Sequence, residues 1–138
     1  MTHAPTPDSP FHPDHVPADG LVTVERADGV ATVRFGHPKG NSLPGTLLRT
    51  LAARIEEAGR DRATRVIVLR SGGHGPFCAG ASFDELSAVG DREQGRAFFS
   101  GFAGVILAMI RAPQFVVARV HGRAAGGGVG LVAAADYA

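Results

Sequence analysis

Residues Gln114 to Ala138 constrain this chain more than any other stretch. Phe115 to Val120 is nearly all apolar and rich in β-branched residues, which predicts a buried strand. A glycine-rich turn follows, centred on Gly126, Gly127 and Gly128, and then small apolar residues suited to a closely packed helix. Glycine there opens backbone conformations denied to other residues and lets a ligand approach the chain. A helix starting at these glycines has first N–H groups without internal partners, backed by the positive end of the helix dipole. Such a site suits a phosphate, or an oxyanion that develops during a reaction. The plainer reading is packing alone, since glycine-rich strand-to-helix turns are common in α/β proteins. No Gly-Lys-Ser/Thr follows, so the turn is not a phosphate-binding P-loop, and it fits Gly-x-Gly-x-x-Gly poorly.

The 138 residues suffice for one domain with a core. A net charge of +1 gives no case for nucleic acid or an anionic membrane as partner, and no apolar run reaches membrane-spanning length. Lys39 is the only lysine among fourteen basic residues, a bias read as genomic rather than functional. The single cysteine, Cys78, rules out an internal disulfide and fits a reducing compartment, the cytoplasm. It reads as a small buried hydrophobe more readily than as a nucleophile.

Residues 1–20 hold five prolines, three histidines and no basic residue, which predicts a disordered tail before a folded part over 21–138. His3, His12 and His15 could in principle bind a metal, but a solvated tail is the simpler reading, and no metal is expected. Leu21–Arg26 and Val30–Phe35 flank Ala27-Asp28-Gly29, a hairpin signal. Ser42 is placed to cap a helix with Pro44 in its first turn, Gly59 is a plausible stop, and Leu47, Leu48, Leu51, Ile55 and Ala58 recur at helical spacing between them. Glu56 and Glu57 fall on the far, solvated face. Val66–Leu69 is a short apolar strand that needs a crossover, hence a parallel sheet. Asp91, with Gln94 three residues on, caps a helix whose stripe of Phe98, Phe99, Phe102, Val105, Ile106, Met109 and Ile110 predicts core; Pro113 ends it. Gly101 and Gly104 weaken that helix and suggest close packing. The pattern is an α/β domain with two ligand-facing loops, each after a buried strand.

The first of those loops, Phe77-Cys78-Ala79-Gly80-Ala81-Ser82-Phe83-Asp84-Glu85-Leu86, resembles the Phe-Cys-Ala-Gly-Ala-Asp-Leu-x-Glu-Leu loop of the crotonase family, the enoyl-CoA hydratases and isomerases. Val120-His121-Gly122-Arg123-Ala124-Ala125-Gly126-Gly127-Gly128 is similar to that family's Val-Asn-Gly-x-Ala-x-Gly-Gly-Gly. The two motifs stand about forty-five residues apart, and the preceding elements fall in the family's order from about Leu21.

The resemblance implies a crotonase-like α/β fold, a spiral of ββα units, of which this chain reads as the N-terminal half, cut before the C-terminal helical part. It implies an acyl-CoA enzyme of hydratase or isomerase type, a lyase or isomerase of fatty acid metabolism. The backbone N–H groups of Ala81 and Gly127 would form an oxyanion hole for the thioester. Ala79, Gly80, Ala81, Phe83, Gly126 and Gly127 would contact substrate or coenzyme A, and Gly126 and Gly128 would also be structural. Coenzyme A would arrive as part of the substrate, with no separate cofactor, and the full-length form would be a homotrimer or hexamer.

Two departures qualify the carry-over. Hydratases of the family carry a glutamate three residues after the oxyanion-hole glycine, where this chain has Gly130; Ser82 stands where an aspartate is common. The family's second acid would lie beyond Ala138. Asp84 and Glu85 read as caps or solvated groups, Asp136 as structural, and His74 and His121 as polar loop residues. The 138-residue chain alone is therefore expected to be inactive, and poorly soluble because its aromatic stripe is left uncovered. The alternatives are a non-catalytic CoA-thioester binder or inactive fragment lacking the catalytic glutamates, and an unrelated nucleotide-binding α/β domain.

Overall fold

The computed structural model describes residues 10–12 and 15–138. Four strands form one sheet in the order β1-β2-β3-β4. β1 (Leu21–Ala27) and β2 (Val30–Gly36) form the expected antiparallel hairpin. Its two-residue turn has positive φ at both Asp28 (53°) and Gly29 (79°), matching the right-handed twist of the strands. β3 (Val66–Ser71) joins β2 in parallel, and β4 (Phe115–Arg119) joins β3 in parallel, as the crossovers require.

The first long helix packs on one face of the sheet, and the second packs against the first. α1 (Gly45–Arg60) buries Leu47, Leu48, Leu51, Ile55 and Ala58, the five positions picked out by spacing. Its start differs from expectation. Pro44 is the N-cap and has no side chain to offer, while the Ser42 hydroxyl lies 3.2 Å from His37 Nδ1 instead. Gly59 does not stop the helix, which runs one residue further.

A short helix, α2 (Phe83–Ala88), lies inside what reads from sequence as loop; Ser82 Oγ caps it, accepting from the Glu85 N–H. α3 (Arg92–Arg111) begins as expected, with Asp91 accepting from the Gln94 N–H at 2.8 Å, and ends before Pro113. Val105, Ala108 and Met109 are buried and Phe102 and Ile106 pack against the core, but Phe99 (69 % exposed) and Ile110 (63 %) face out. The predicted stripe is wider than the face that α1 and the sheet can cover. A Cβ on Gly101 would meet Leu48 at 2.7 Å, so this glycine permits the α1–α3 approach; Gly104 has open space around it and serves no such purpose.

α4 (Gly127–Ala134) follows the glycine turn, and after it Tyr137 forms an isolated parallel bridge with Val117. Asp136 is structural as expected, accepting from the Val116 N–H at 2.8 Å.

The expectation of disorder over residues 1–20 falls largely on positions outside those described, among them His3. Within the described part Phe11 is only 2 % exposed, seated where Gly36 and Gly72 have no side chains and stacked on the Arg34 guanidinium at 4.2 Å. Composition does not reveal this contact, because one aromatic residue in a proline-rich tract carries no periodicity. Among the described residues no helix is long and apolar enough to cross a membrane, and no three His, Cys, Asp or Glu side chains cluster as metal ligands would.

Candidate functional site

The two loops singled out in the sequence lie side by side. Phe77 N–H donates to Arg123 O at 2.9 Å and Ala125 N–H to Cys78 O at 2.9 Å, so Cys78 and Ala124 pair as a parallel bridge. On its other side the first loop pairs with the segment before α1. Ala79 N–H donates to Gly40 O at 3.1 Å, Leu43 N–H to Gly80 O at 2.8 Å, and Leu43 bridges Ala81. Single-residue bridges thus tie together the segments that follow β2, β3 and β4, at Leu43 with Ala81 and at Cys78 with Ala124.

Two glycines with positive φ make the loops touch. Gly80 has φ 100° and Gly126 φ 53°. A Cβ on Gly80 would lie 3.0 Å from Ala125 O and 3.6 Å from Gly126 Cα, so a side chain there would push the loops apart. Gly126 is the N-cap of α4 and offers no capping side chain. The Ala81 and Gly127 N–H groups follow directly after these two glycines. Among the described residues neither donates a hydrogen bond to a protein acceptor. Gly127 also packs tightly, since a Cβ would meet the Phe102 ring at 2.5 Å, and Gly128 sits against Cys78, where a Cβ would approach to 2.8 Å. Burial pushes the Cys78 thiol up to about 11, against a lowering contribution from the Gly80 N–H. It is a packed thiol, not a nucleophile.

The other candidates have defined places. Ala79 is exposed at the bend of the first loop, and Phe83, at the start of α2, is 80 % exposed. Asp84 is paired with Lys39, which holds its carboxyl below the usual range. Glu85 reaches α1, where both carboxylate oxygens accept from the Gly45 N–H at 2.9 and 3.1 Å. It replaces the cap that Pro44 cannot supply. With Asp136 bonded to Val116 of β4, all three nearby carboxylates are engaged. Position 130 faces α3, where a Cβ would lie 3.1 Å from Ile106 Cδ1. His74 is exposed; His121 is half-buried with its Nε2 unpartnered. Burial and then the charges of Arg119, Arg70, His74 and Arg34 push the His121 imidazole below its ordinary range.

One supporting residue escapes sequence reading, and a second, Glu85, caps as expected but on another helix. Asn41, buried at φ 57°, donates through Nδ2 to Gly72 O (2.8 Å) and Pro76 O (2.9 Å) and accepts from His37 N–H at 3.0 Å, tying the first loop to the segment before α1. The Ser82-x-x-Glu85 spacing is a signal for the start of α2, although its Glu side chain turns to α1 rather than back to its own N-cap.

Comparison with known proteins agrees with this architecture. Residues 25–138 match the family described as enoyl-CoA hydratase/isomerase. The chain is 33 % identical over 117 residues to a (7aS)-7a-methyl-1,5-dioxo-2,3,5,6,7,7a-hexahydro-1H-indene-carboxyl-CoA hydrolase of Rhodococcus jostii, covering 85 % of this chain and 45 % of that protein. It is 34 % identical over 113 residues to the human mitochondrial methylglutaconyl-CoA hydratase, covering 81 % and 33 %. Among solved structures, an enoyl-CoA hydratase of Mycobacterium smegmatis superposes with a TM-score of 0.78 at 35 % identity, over 84 % of this chain and 46 % of that one. An enoyl-CoA hydratase of Bacillus anthracis gives 0.77 at 30 %, over 83 % and 45 %. The chain thus spans less than half the length of these relatives, with the α/β architecture of a truncated crotonase fold. It belongs to the enoyl-CoA hydratase/isomerase family.

Proposed function

We propose that this chain carries the thioester-polarising half of an acyl-CoA enzyme, with the Ala81 and Gly127 N–H groups as an oxyanion hole. The observation that carries the reading is the pair of unpaired backbone donors on two loops held together at Gly80 and Gly126. Enolisation of, or addition to, a CoA thioester puts negative charge on the thioester oxygen. Two fixed donors, one at the start of α4, stabilise that charge without reorganising. Removing one such donor typically costs about 3–4 kcal/mol of transition-state stabilisation. Coenzyme A enters as part of the substrate; Ala79 offers it exposed backbone and Phe83 an exposed aromatic face beside the hole, while the buried Gly80 shapes the loop between them.

Proton transfer is the missing element. Gly130 has no side chain, and Asp84, Glu85 and Asp136 each hold a structural partner. Following the family resemblance, we place the proton-transfer acid of the whole protein on a residue outside these 138, and the family's trimer or hexamer is the expected assembly. The same engaged carboxylates favour a second reading, a CoA-thioester binder without turnover. Calorimetric titration with crotonyl-CoA, run alongside loss of its enoyl absorbance, separates the two. Binding with turnover supports the enzyme, and binding without turnover by the full-length protein supports the binder. Affinity for ATP or NAD with none for the thioester overturns both.

A further inference from the structure

The sheet register places three arginines in a row. Arg34 on β2 pairs with Arg70 on β3, and Arg70 with Arg119 on β4. Each alternates with buried residues (Val33 and Phe35, Leu69 and Ser71, Ala118), so all three project from the face opposite α1. Like charges directly opposite on adjacent strands repel. Burial and then Arg70 push the Arg34 guanidinium below its ordinary range, opposed by Glu25, with Arg119 adding to the fall; burial and then Arg119 do the same to Arg70, again against Glu25. Yet among the described residues none of the three forms an ion pair; those formed by arginines involve Arg26 and Arg54. Arg34 Nε, Arg70 Nε and His121 Nε2 are buried without hydrogen-bond partners. Orphaned donors of this kind in a native fold call for an explanation. Phe11 stacked on Arg34 fixes one guanidinium plane.

We infer that Arg34, Arg70 and Arg119, with His121 beside them, form a binding site for a phosphate-class dianion. Neighbouring strands lie about 4.8 Å apart, so three guanidinium groups can converge on one compact ion. A phosphate group offers near-double charge and three acceptor oxygens, matched to bidentate arginine donors. A single carboxylate could use only part of this donor set. The plainer account is that the arginine stems merely cover the sheet; it leaves the repulsion and the orphaned atoms unanswered.

The test is the melting temperature of the chain in inorganic phosphate against chloride at matched ionic strength. The site predicts a saturable rise with phosphate only. Arg70→Ala should weaken phosphate binding about tenfold, in line with loss of a charge-assisted hydrogen bond, while Arg54→Ala on the exposed face of α1 should not. Should Arg70→Ala fail to fold, broadening of the phosphorus resonance by wild type but not by Arg119→Ala gives the same answer. No phosphate-specific effect, or one that survives both Arg70→Ala and Arg119→Ala, overturns the site. A response to poly-glutamate without one to phosphate overturns it in favour of an acidic polypeptide.

Discussion

The carboxylate of Glu85, on α2, accepts from the backbone N–H of Gly45, the first residue of α1, forty positions earlier. It caps a helix whose own N-cap is proline, and it ties the loop bearing Ala81 to that helix. Glu85→Ala should cost about 1 kcal/mol, the usual worth of a helix N-cap, and Glu85→Gln less, since an amide oxygen still accepts. Urea unfolding midpoints measure both. An unchanged midpoint for Glu85→Ala would remove the cap from the account.

Two glycines separate space from conformation. Gly104 lies inside α3 with nothing near its missing Cβ. Gly104→Ala should therefore stabilise by about 0.5–1 kcal/mol through helix propensity. A Cβ on Gly122 would overlap the Gly75 carbonyl oxygen, which is backbone and cannot swing aside. Gly122→Ala should cost about 1–3 kcal/mol, the usual range for overpacking. Equal effects of the two in thermal unfolding would contradict the packing described here.

Cys78 is buried and its thiol lies at about 11. At pH 8 the folded chain should react slowly with iodoacetamide, and the urea-unfolded chain at the rate of an ordinary thiol. Fast native labelling would show that the two loops open readily.

How much of this is legible in sequence depends on whether a residue's role is periodic. The five buried positions of α1, the hairpin turn at Asp28-Gly29 and the Asp91 cap follow repeating or local patterns and can be read directly. Ser42 misleads because its hydroxyl finds His37, a partner five positions back that no helix pattern contains. Asn41 and Glu85 act across 31 to 40 positions, distances that only the folded chain supplies. The arginine row is likewise invisible until the register of three strands is known. The two glycine loops were readable as ligand-facing from their place after buried strands, but not their contact at Gly80 and Gly126.

Burial shifts His37 and His121 below their ordinary range; Lys39 adds to the first and neighbouring arginines to the second. In the folded state they bind fewer protons than in the unfolded state, where the value is about 6.5. Stability is then full above that value and falls as pH drops through it toward the folded values. Urea midpoints between pH 7.5 and 5.5 should fall, and His121→Gln should flatten the fall. An identical slope in the variant would mean that His121 is not charged on unfolding.

The most direct test of the central claim is the amide proton shift of Ala81 and Gly127 in nitrogen-15-labelled protein, titrated with an acyl-CoA and separately with free coenzyme A. If these groups hold the thioester oxygen, both resonances move downfield with the acyl-CoA and stay near their free positions with coenzyme A alone. Shifts at Ala79 and Phe83 without shifts at Ala81 and Gly127 would contradict the oxyanion hole while leaving coenzyme A recognition in place.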